Sequence, residues 1–154
     1  GGVGMPFMKG AIKKDEYYVV IFGCGRLGSR MANWLSSMGC SVVVVDRNES
    51  SFDALSYEFT GFNILGDATE LDVLKEAKLD KADVALVLTT DDNTNLMISM
   101  SAKEYFEVPR VVARAYDPNN IQMFSDFGIE VICPTLLAVE NVKNALYFIS
   151  GDEK

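Results

Sequence analysis

Three glycines at a fixed spacing open the stretch of this chain that could bind a ligand. Gly23, Gly25 and Gly28 form a G-x-G-x-x-G turn that follows an apolar run and precedes a helical pattern. In that setting the first glycine permits the tight turn, the second lets the backbone approach a pyrophosphate, and the third lets helix and strand pack closely. The free N–H groups and the positive dipole end of the helix favour phosphate. The motif predicts a nucleotide site rather than a particular reaction.

An acidic residue at the end of the next apolar run strengthens this prediction. Asp46 ends the run 41–45 and stands about 20 residues after the turn, where a carboxylate accepts hydrogen bonds from an adenosine ribose. The carboxylate argues against NADP, whose 2′-phosphate it would repel, although the neighbouring Arg47 weakens that argument. We therefore expect an adenine nucleotide (AMP, ADP or ATP) or NAD(H).

The groups that hydride transfer requires are missing from the sequence. There is no histidine, no tyrosine has a lysine four residues later, and no Gly-x-Ser-x-Gly or Walker lysine occurs. Asp91 and Asp92 could bind a cation, but at a helix start carboxylates more often complement the dipole. A helix N-terminus could lower the pKa of Cys24, although a small residue that simply fits the turn is the favoured interpretation. We predict no catalytic and no metal-binding residue.

Two enzyme classes and a module without a ligand stay open as alternatives. A small NAD-dependent oxidoreductase, or the cofactor domain of one, would share the glycine turn and Asp46. A methyltransferase would also have a glycine turn and an acidic residue after the second strand. However, Phe22 precedes the glycines at the position where such enzymes usually carry an acidic residue. The third alternative is a pure assembly module with a vestigial crevice.

Composition and charge indicate where the protein acts and which kinds of partner it binds. The 154 residues carry a net charge of −8 with 49% hydrophobic residues, and the scattered basic residues form no stripe of the kind that binds nucleic acid. No apolar run reaches the roughly 18 residues that span a bilayer, and the start lacks the order of a signal peptide. Three widely spaced cysteines fit reduced thiols. We expect a cytoplasmic chain that binds no nucleic acid.

The elements that would position these residues alternate along the chain. Apolar runs predict strands at 17–22, 41–46, 62–65, 84–88, 110–114 and 129–132. Periodic patterns predict helices at 26–38, 50–58, 70–77, 92–106, 118–127 and after 134. We expect Ser50 or Ser51 to cap the second helix and Thr69 the third, with Leu71 facing inward. This alternation predicts an α/β fold with a doubly wound, parallel, six-stranded, Rossmann-like sheet of order 3-2-1-4-5-6.

Four polar or glycine-rich turns then meet at the carboxyl edge of the sheet. Ligands of such sheets bind at this edge, where the strand order reverses between the first and fourth strands. The turns are Gly23–Gly28, Asp46–Arg47, Gly66–Thr69 and Thr89–Asp92.

The last helix carries an apolar stripe that needs a partner. Val139, Val142, Leu146 and Ile149 recur at three- and four-residue steps. The partner is either the chain's own sheet or another chain. We predict a lead-in or cloning scar at 1–16, a nucleotide-binding domain at 17–134, and a crossover helix with its tail at 135–154.

The chain from Tyr17 to about Leu146 resembles the RCK/KTN (TrkA-N type) regulatory domains of potassium channels and of Trk/Ktr potassium uptake systems. The resemblance rests on Gly-Cys-Gly-Arg-Leu-Gly at 23–28, Val-Asp-Arg at 45–47, Gly-Asp-Ala-Thr at 66–69, Leu-Thr-Thr-Asp-Asp-Asn at 88–93, Val-Ala-Arg-Ala-Tyr-Asp at 112–117 and Ile-Cys-Pro-Thr at 132–135.

The resemblance implies a role for each part of the crevice. The glycine turn would receive the phosphates, with Arg26 beside it and Arg114 facing a terminal phosphate, unless Arg114 makes only a surface ion pair. Asp46 would hold the ribose, with Arg47 near the adenosine. Asp67 and Ala68 would lie at the edge of the adenine, and Thr89 and Thr90 would line the opposite wall of the crevice. The predicted site comprises Gly23, Cys24, Gly25, Arg26, Leu27, Gly28, Asp46, Arg47, Gly66, Asp67, Ala68, Thr89, Thr90, Asp91 and Arg114.

The resemblance also implies partners. These are a second copy in a homodimer, a higher ring of four dimers built from this chain alone or with a related chain, and a membrane-embedded potassium channel or transporter at the inner face of the cell membrane. The sequence departs from the family in two ways. A second lobe after the last helix is missing or was cut away, and Thr135 stands where some ATP-regulated members carry an acid.

Overall fold

Six parallel strands form one sheet within residues 16–150, the range that this computed structural model describes. Their order is β3-β2-β1-β4-β5-β6, so the predicted doubly wound class and strand order are confirmed. The proposed lead-in lies almost wholly outside the described residues, as do the last four positions of the tail. The strands are β1 (Tyr18–Phe22), β2 (Ser41–Asp46), β3 (Phe62–Leu65), β4 (Val84–Val87), β5 (Arg110–Arg114) and β6 (Glu130–Ile132).

Helices and short turns connect the strands. The helix predicted at 92–106 is divided into an α-helix and a π-helical turn, and the helix predicted at 118–127 into a 3-10 turn and an α-helix. The α-helices are α1 (Arg26–Ser37), α2 (Leu71–Glu76), α3 (Asp92–Met100), α4 (Ile121–Asp126), α5 (Pro134–Ala145) and α6 (Tyr147–Ser150). Tighter 3-10 turns span Glu49–Ala54, Leu79–Lys81 and Pro118–Asn120, and α3 continues into a π-helical turn at Ser101–Tyr105.

Alternate residues of β1 enter two different cores. Val20 and Phe22 are fully buried in the larger core, which also holds residues of α2, α3 and α4. Val19 and Ile21 enter the second core, against which α1 packs. The strand is apolar throughout because a central parallel strand is covered on both faces.

The predicted helix at 50–58 is wrong. Only a 3-10 turn forms, at Glu49–Ala54, and its cap is the Asn48 side chain, which accepts from Ser50 N, rather than Ser50 or Ser51. The chain does not continue as a helix, because the N–H of Ser56 donates to Oδ1 of Asn33 in α1 at 2.9 Å instead of to a helical carbonyl. Serine residues favour such local bonds over helical ones.

The predicted cap of the next helix is also wrong. Asp67 accepts bonds from the backbone N and Oγ1 of Thr69, at 2.9 and 2.7 Å, so Thr69 does not cap α2. The helix begins at Leu71, and Glu70 occupies the N-cap position. Leu71 is exposed, contrary to prediction, while Leu74 is buried.

Helix α5 is not covered by the other residues that the structure describes. No residue of α5 is buried, and residues 135–150 are all exposed. The alternative in which this helix packs on its own sheet is therefore wrong. Within the described residues, no helix combines the length and the hydropathy needed to cross a membrane.

Candidate functional site

A crevice of about 330 Å³ opens where β1 and β4 separate at the carboxyl edge of the sheet. All four predicted turns reach it. Ten of the fifteen predicted residues line it, namely Gly23, Gly25, Asp46, Arg47, Gly66, Asp67, Ala68, Thr89, Thr90 and Asp91.

The three motif glycines differ in what surrounds them. Gly23 has φ +99°, and a Cβ there would lie 2.9 Å from the Leu88 carbonyl carbon. A Cβ on Gly28 would lie 1.8 Å from the Gly23 oxygen, so Gly28 lets α1 lie against the turn. Apart from its chain neighbours, no described residue lies within 4 Å of the Cβ position of Gly25, which faces the crevice. The space that a pyrophosphate would need is therefore open at the middle glycine.

Asp46 fixes the glycine turn to the end of β2. Its Oδ2 accepts a bond from the backbone N of Cys24 at 2.7 Å, and its Oδ1 accepts one from the backbone N of Asn48 at 2.8 Å. A carboxylate has about four acceptor positions, so two bonds leave capacity for hydroxyl groups in the crevice. The residue has a structural task in addition to the predicted ribose contact.

Cys24 lies behind the turn rather than in the crevice. Its side chain is 2% exposed, and its N–H is bonded to Asp46. Burial and the charge of Asp46 raise the pKa of the thiol to about 11. The alternative of a lowered pKa at the helix N-terminus is wrong, and the favoured interpretation, a small residue that fits the turn, agrees with the geometry.

The far wall begins at Gly66–Ala68. A Cβ on Gly66 would lie 2.9 Å from a methyl carbon of Val73, so the chain passes close to α2 here. The two bonds from Thr69 hold the pKa of Asp67 below its usual range, and Arg47 adds to this lowering. Asp67 is therefore ionised at neutral pH.

The two adjacent carboxylates at the start of α3 do not form a pair. Asp91 caps the helix, accepting from Thr94 N at 2.8 Å, and these Thr94 contacts lower its pKa. Asp92 turns away from the crevice and accepts from the backbone N–H groups of Tyr116 and Asp117. Within residues 16–150 no group of three or more potential metal ligands comes together.

Five predicted residues stand outside the crevice lining. Gly28 and Cys24 support the turn, Leu27 packs in the second core, and Arg26 is exposed at the first position of α1. Arg114 donates from Nε and Nη2 to the Thr89 carbonyl at 3.2 and 2.7 Å. Both bonds go to a backbone carbonyl, so they do not form a surface ion pair, and the phosphate role of Arg114 stays a prediction.

Seven lining residues were not predicted. They include strand ends and side chains next to the predicted turns. A signal existed for Asn48 and Thr94, which lie one and three residues beyond predicted site residues, whereas Ser51 and Ile98 enter only through three-dimensional packing. The seven are Phe22, Val45, Asn48, Ser51, Leu88, Thr94 and Ile98.

A glycine turn before α1, an acid at the end of β2 and a crevice at the strand-order reversal define a Rossmann-like domain. A family model, the TrkA-N domain, matches residues 19–134. The chain belongs to the TrkA-N family.

Similar proteins agree with this assignment. The Trk system potassium uptake protein TrkA of Streptomyces coelicolor is 36% identical over 115 residues, which are 75% of this chain and 52% of that protein. This chain therefore spans about half the length of such relatives.

Two solved structures of GsuK are similar in fold. One is the GsuK channel bound to NAD, with a TM-score of 0.76 and 25% identity. The match covers 89% of this chain and 24% of the GsuK chain. The other, bound to ADP, has a TM-score of 0.73 and 27% identity, with coverages of 84% and 34%.

Proposed function

We propose that this chain is the nucleotide-binding part of a cytoplasmic regulatory subunit, a gating-ring component, of a potassium uptake system or channel. It binds an adenine nucleotide or NAD(H) without turning it over. The observation that carries the proposal is the open space at Gly25 and the Asp46 carboxylate in one crevice. The potassium uptake relative and the NAD- and ADP-bound GsuK structures support it.

The bound nucleotide would extend from α1 across the end of β2. Its phosphates would meet the N-terminus of α1 at Gly25, with Arg26 beside them. The ribose hydroxyls would donate to Asp46, and the adenine would lie between Asp67–Ala68 and Thr89–Thr90. Three carboxylates and the guanidinium of Arg47 are the charged groups of the lining, so the phosphate charge must be balanced from the rim and the helix dipole.

Helix α5 would carry the assembly. Its exposed apolar residues, including Val142 and Leu146, would pack against a second copy of the chain, and pairs would join into a ring with like or related chains. The ring would act on a membrane potassium channel or transporter subunit. A nucleotide shifts such a ring only if it binds two states of the ring with different affinity.

Calorimetric titration of nucleotide-free protein with AMP, ADP, ATP, NAD⁺ and NADH tests the ligand. Asp46→Asn should weaken binding about tenfold or more, since one hydrogen bond to a charged group contributes roughly 1.5–3 kcal/mol. Asp53→Asn, which removes an exposed carboxylate outside the lining, is the matched control. If no nucleotide binds, or both variants bind like the parent, the proposed site is refuted.

A spectrophotometric assay separates binding from catalysis. Steady oxidation of NADH by small carbonyl compounds, lost in Asp46→Asn, would favour the oxidoreductase alternative. Binding heat without turnover is the expected result.

The role of α5 is tested by self-association. Val142→Glu places a charge on the apolar stripe and should shift the protein towards monomers in light-scattering chromatography. Its melting temperature at high dilution should stay unchanged, because Val142 is 56% exposed. Asn144→Glu adds the same charge on the same helix and should leave association intact. Equal association of both variants would remove α5 from the interface.

A further inference from the structure

A buried amide connects the crevice wall to the neighbouring strand. Asn95 of α3 is 0% exposed. Its Oδ1 accepts bonds from the backbone N and Oγ1 of Thr89 at 3.1 and 2.5 Å. Its Nδ2 donates to the carbonyls of Thr89 and Arg114 at 3.0 and 2.9 Å. All four hydrogen-bonding positions of the amide are used, and they fix the end of β4 to the end of β5.

The carbonyl of Thr89 is the centre of this arrangement. Besides Nδ2 of Asn95 it accepts from Nε and Nη2 of Arg114. Thr89 lines the crevice, whereas Asn95 and Arg114 do not. A ligand contact that orders Thr89 would therefore also order two groups that lie outside the crevice lining.

The bonds continue from β5 to the base of α5. Ala115 N donates to the carbonyl of Ile132 at 2.9 Å, joining the ends of β5 and β6. The Asp92 carboxylate accepts from Tyr116 N at 2.6 Å and from Asp117 N at 3.0 Å. Ile132 stands two residues before the start of α5. Two hydrogen-bonded links, joined by the peptide bond between Arg114 and Ala115, thus connect the crevice wall to Ile132 at the base of α5.

We propose that Asn95 is the positioning residue that couples nucleotide binding in the crevice to the base of α5. This inference rests on the proposed function, because it needs a nucleotide that contacts Thr89–Thr90. A fully satisfied buried polar network rigidifies the groups that it joins, so ordering the wall lowers the frequency with which the β5 and β6 ends open. Two sites that share one opening equilibrium are coupled without a change in the average structure.

Hydrogen exchange measured by mass spectrometry, with and without ADP or NAD⁺, tests the coupling in the unmodified protein. Peptides covering 22–28, 45–48 and 66–69 should exchange more slowly with nucleotide. Peptides covering 111–118 and 130–137 should also slow, by about fivefold, the lower end of usual coupling strengths. No residue of these two distant segments lines the crevice. Slowing confined to the crevice peptides would overturn the coupling and leave the proposed function intact.

Asn95→Asp removes both donors of the amide at nearly constant size. Nucleotide should still slow the crevice peptides of this variant, while the response at 111–118 and 130–137 disappears. Asn93→Asp makes the same change at an exposed position of α3 and should keep both responses. Asp92→Asn, which weakens the next link without touching the crevice, serves as a second variant if Asn95→Asp does not fold.

Each further result has one meaning. A distant response that survives in Asn95→Asp, or in Asp92→Asn where that variant replaces it, overturns the coupling. If no peptide responds and no binding heat appears, the proposed function fails and this inference fails with it. A merely structural role would lower the denaturation midpoint of Asn95→Asp but leave the distant response in place.

Discussion

Replacing Gly28 by alanine should destabilise the domain, although the same change in most helices is stabilising. Alanine in a helix interior is favoured over glycine by about 1 kcal/mol. Here the new methyl carbon would lie 1.8 Å from the oxygen and 2.9 Å from the carbonyl carbon of Gly23. It would have to retreat by about 1.5 Å to reach ordinary contact. The atoms in its way belong to backbone that β1 and β4 hold in place.

The expected cost follows from these distances. Overpacking of a fixed site costs about 1–3 kcal/mol and occasionally more, and this site is at the upper end because no flexible side chain can yield. We expect a loss of about 3 kcal/mol in the free energy of unfolding, or a fall of roughly 6–12 °C in melting temperature for a chain of this size. Urea denaturation followed by circular dichroism measures the first quantity directly.

Gly25→Ala is the matched comparison. Gly25 has φ −85°, which any residue adopts, and nothing lies within 4 Å of its Cβ position. Stability should change by less than about 1 kcal/mol, while nucleotide affinity should fall because the methyl group occupies the open phosphate space. A Gly28→Ala protein as stable as the parent, or a Gly25→Ala protein that unfolds early and binds normally, would refute this account of the turn.

Three other properties can be checked with simple assays. Burial raises the pKa of Asp92, but hydrogen bonds from three N–H donors lower it by more, so the pKa lies below its usual value. The stabilising effect of the ionised carboxylate is therefore complete above about pH 4 and is lost as the pH falls through the folded pKa. Asp92→Asn should flatten the acid limb of a stability–pH curve, and an unchanged limb would contradict this. At pH 8 the Cys24 thiol, with its pKa of about 11, should resist a disulfide reagent that modifies the half-buried Cys40. Mass mapping that finds both modified at equal rates would disprove its burial. Ser99 has a buried hydroxyl without a hydrogen-bond partner in the described structure, so Ser99→Ala should raise the free energy of unfolding by about 1 kcal/mol. A loss of stability on urea denaturation would show that the hydroxyl is bonded.

The sheet could be predicted from the sequence because its strands are short, mostly apolar runs, and the first four are followed by glycine-rich or polar turns. The carboxyl ends of such strands meet at one edge, which places ten predicted residues around the crevice without knowledge of side-chain contacts. The positions of Arg26, Leu27 and Arg114 could not be obtained in this way, because their side chains follow from packing rather than from strand order.

Local side-chain bonds account for the errors in the helices. Asn33 and Asn48 bond to the backbone around Ser50–Ser56 and stop a helix that periodicity favours. The importance of Asn95 was missed as well, although a signal exists. It falls on the buried stripe of α3 with Asp92, Ile98 and Ser99, and a polar residue on an apolar stripe indicates a buried hydrogen-bond network.

The central place of β1 also bears on how the chain is made. Its two edges are filled by β2 and by β4, and β2, β3 and the helices α1 and α2 are all synthesised before β4 emerges from the ribosome. Until then the most deeply buried strand of the protein keeps an open edge of unpaired N–H and carbonyl groups. Such edges recruit other strands. Slowing translation just before codon 84 should therefore increase the aggregated fraction of newly made protein.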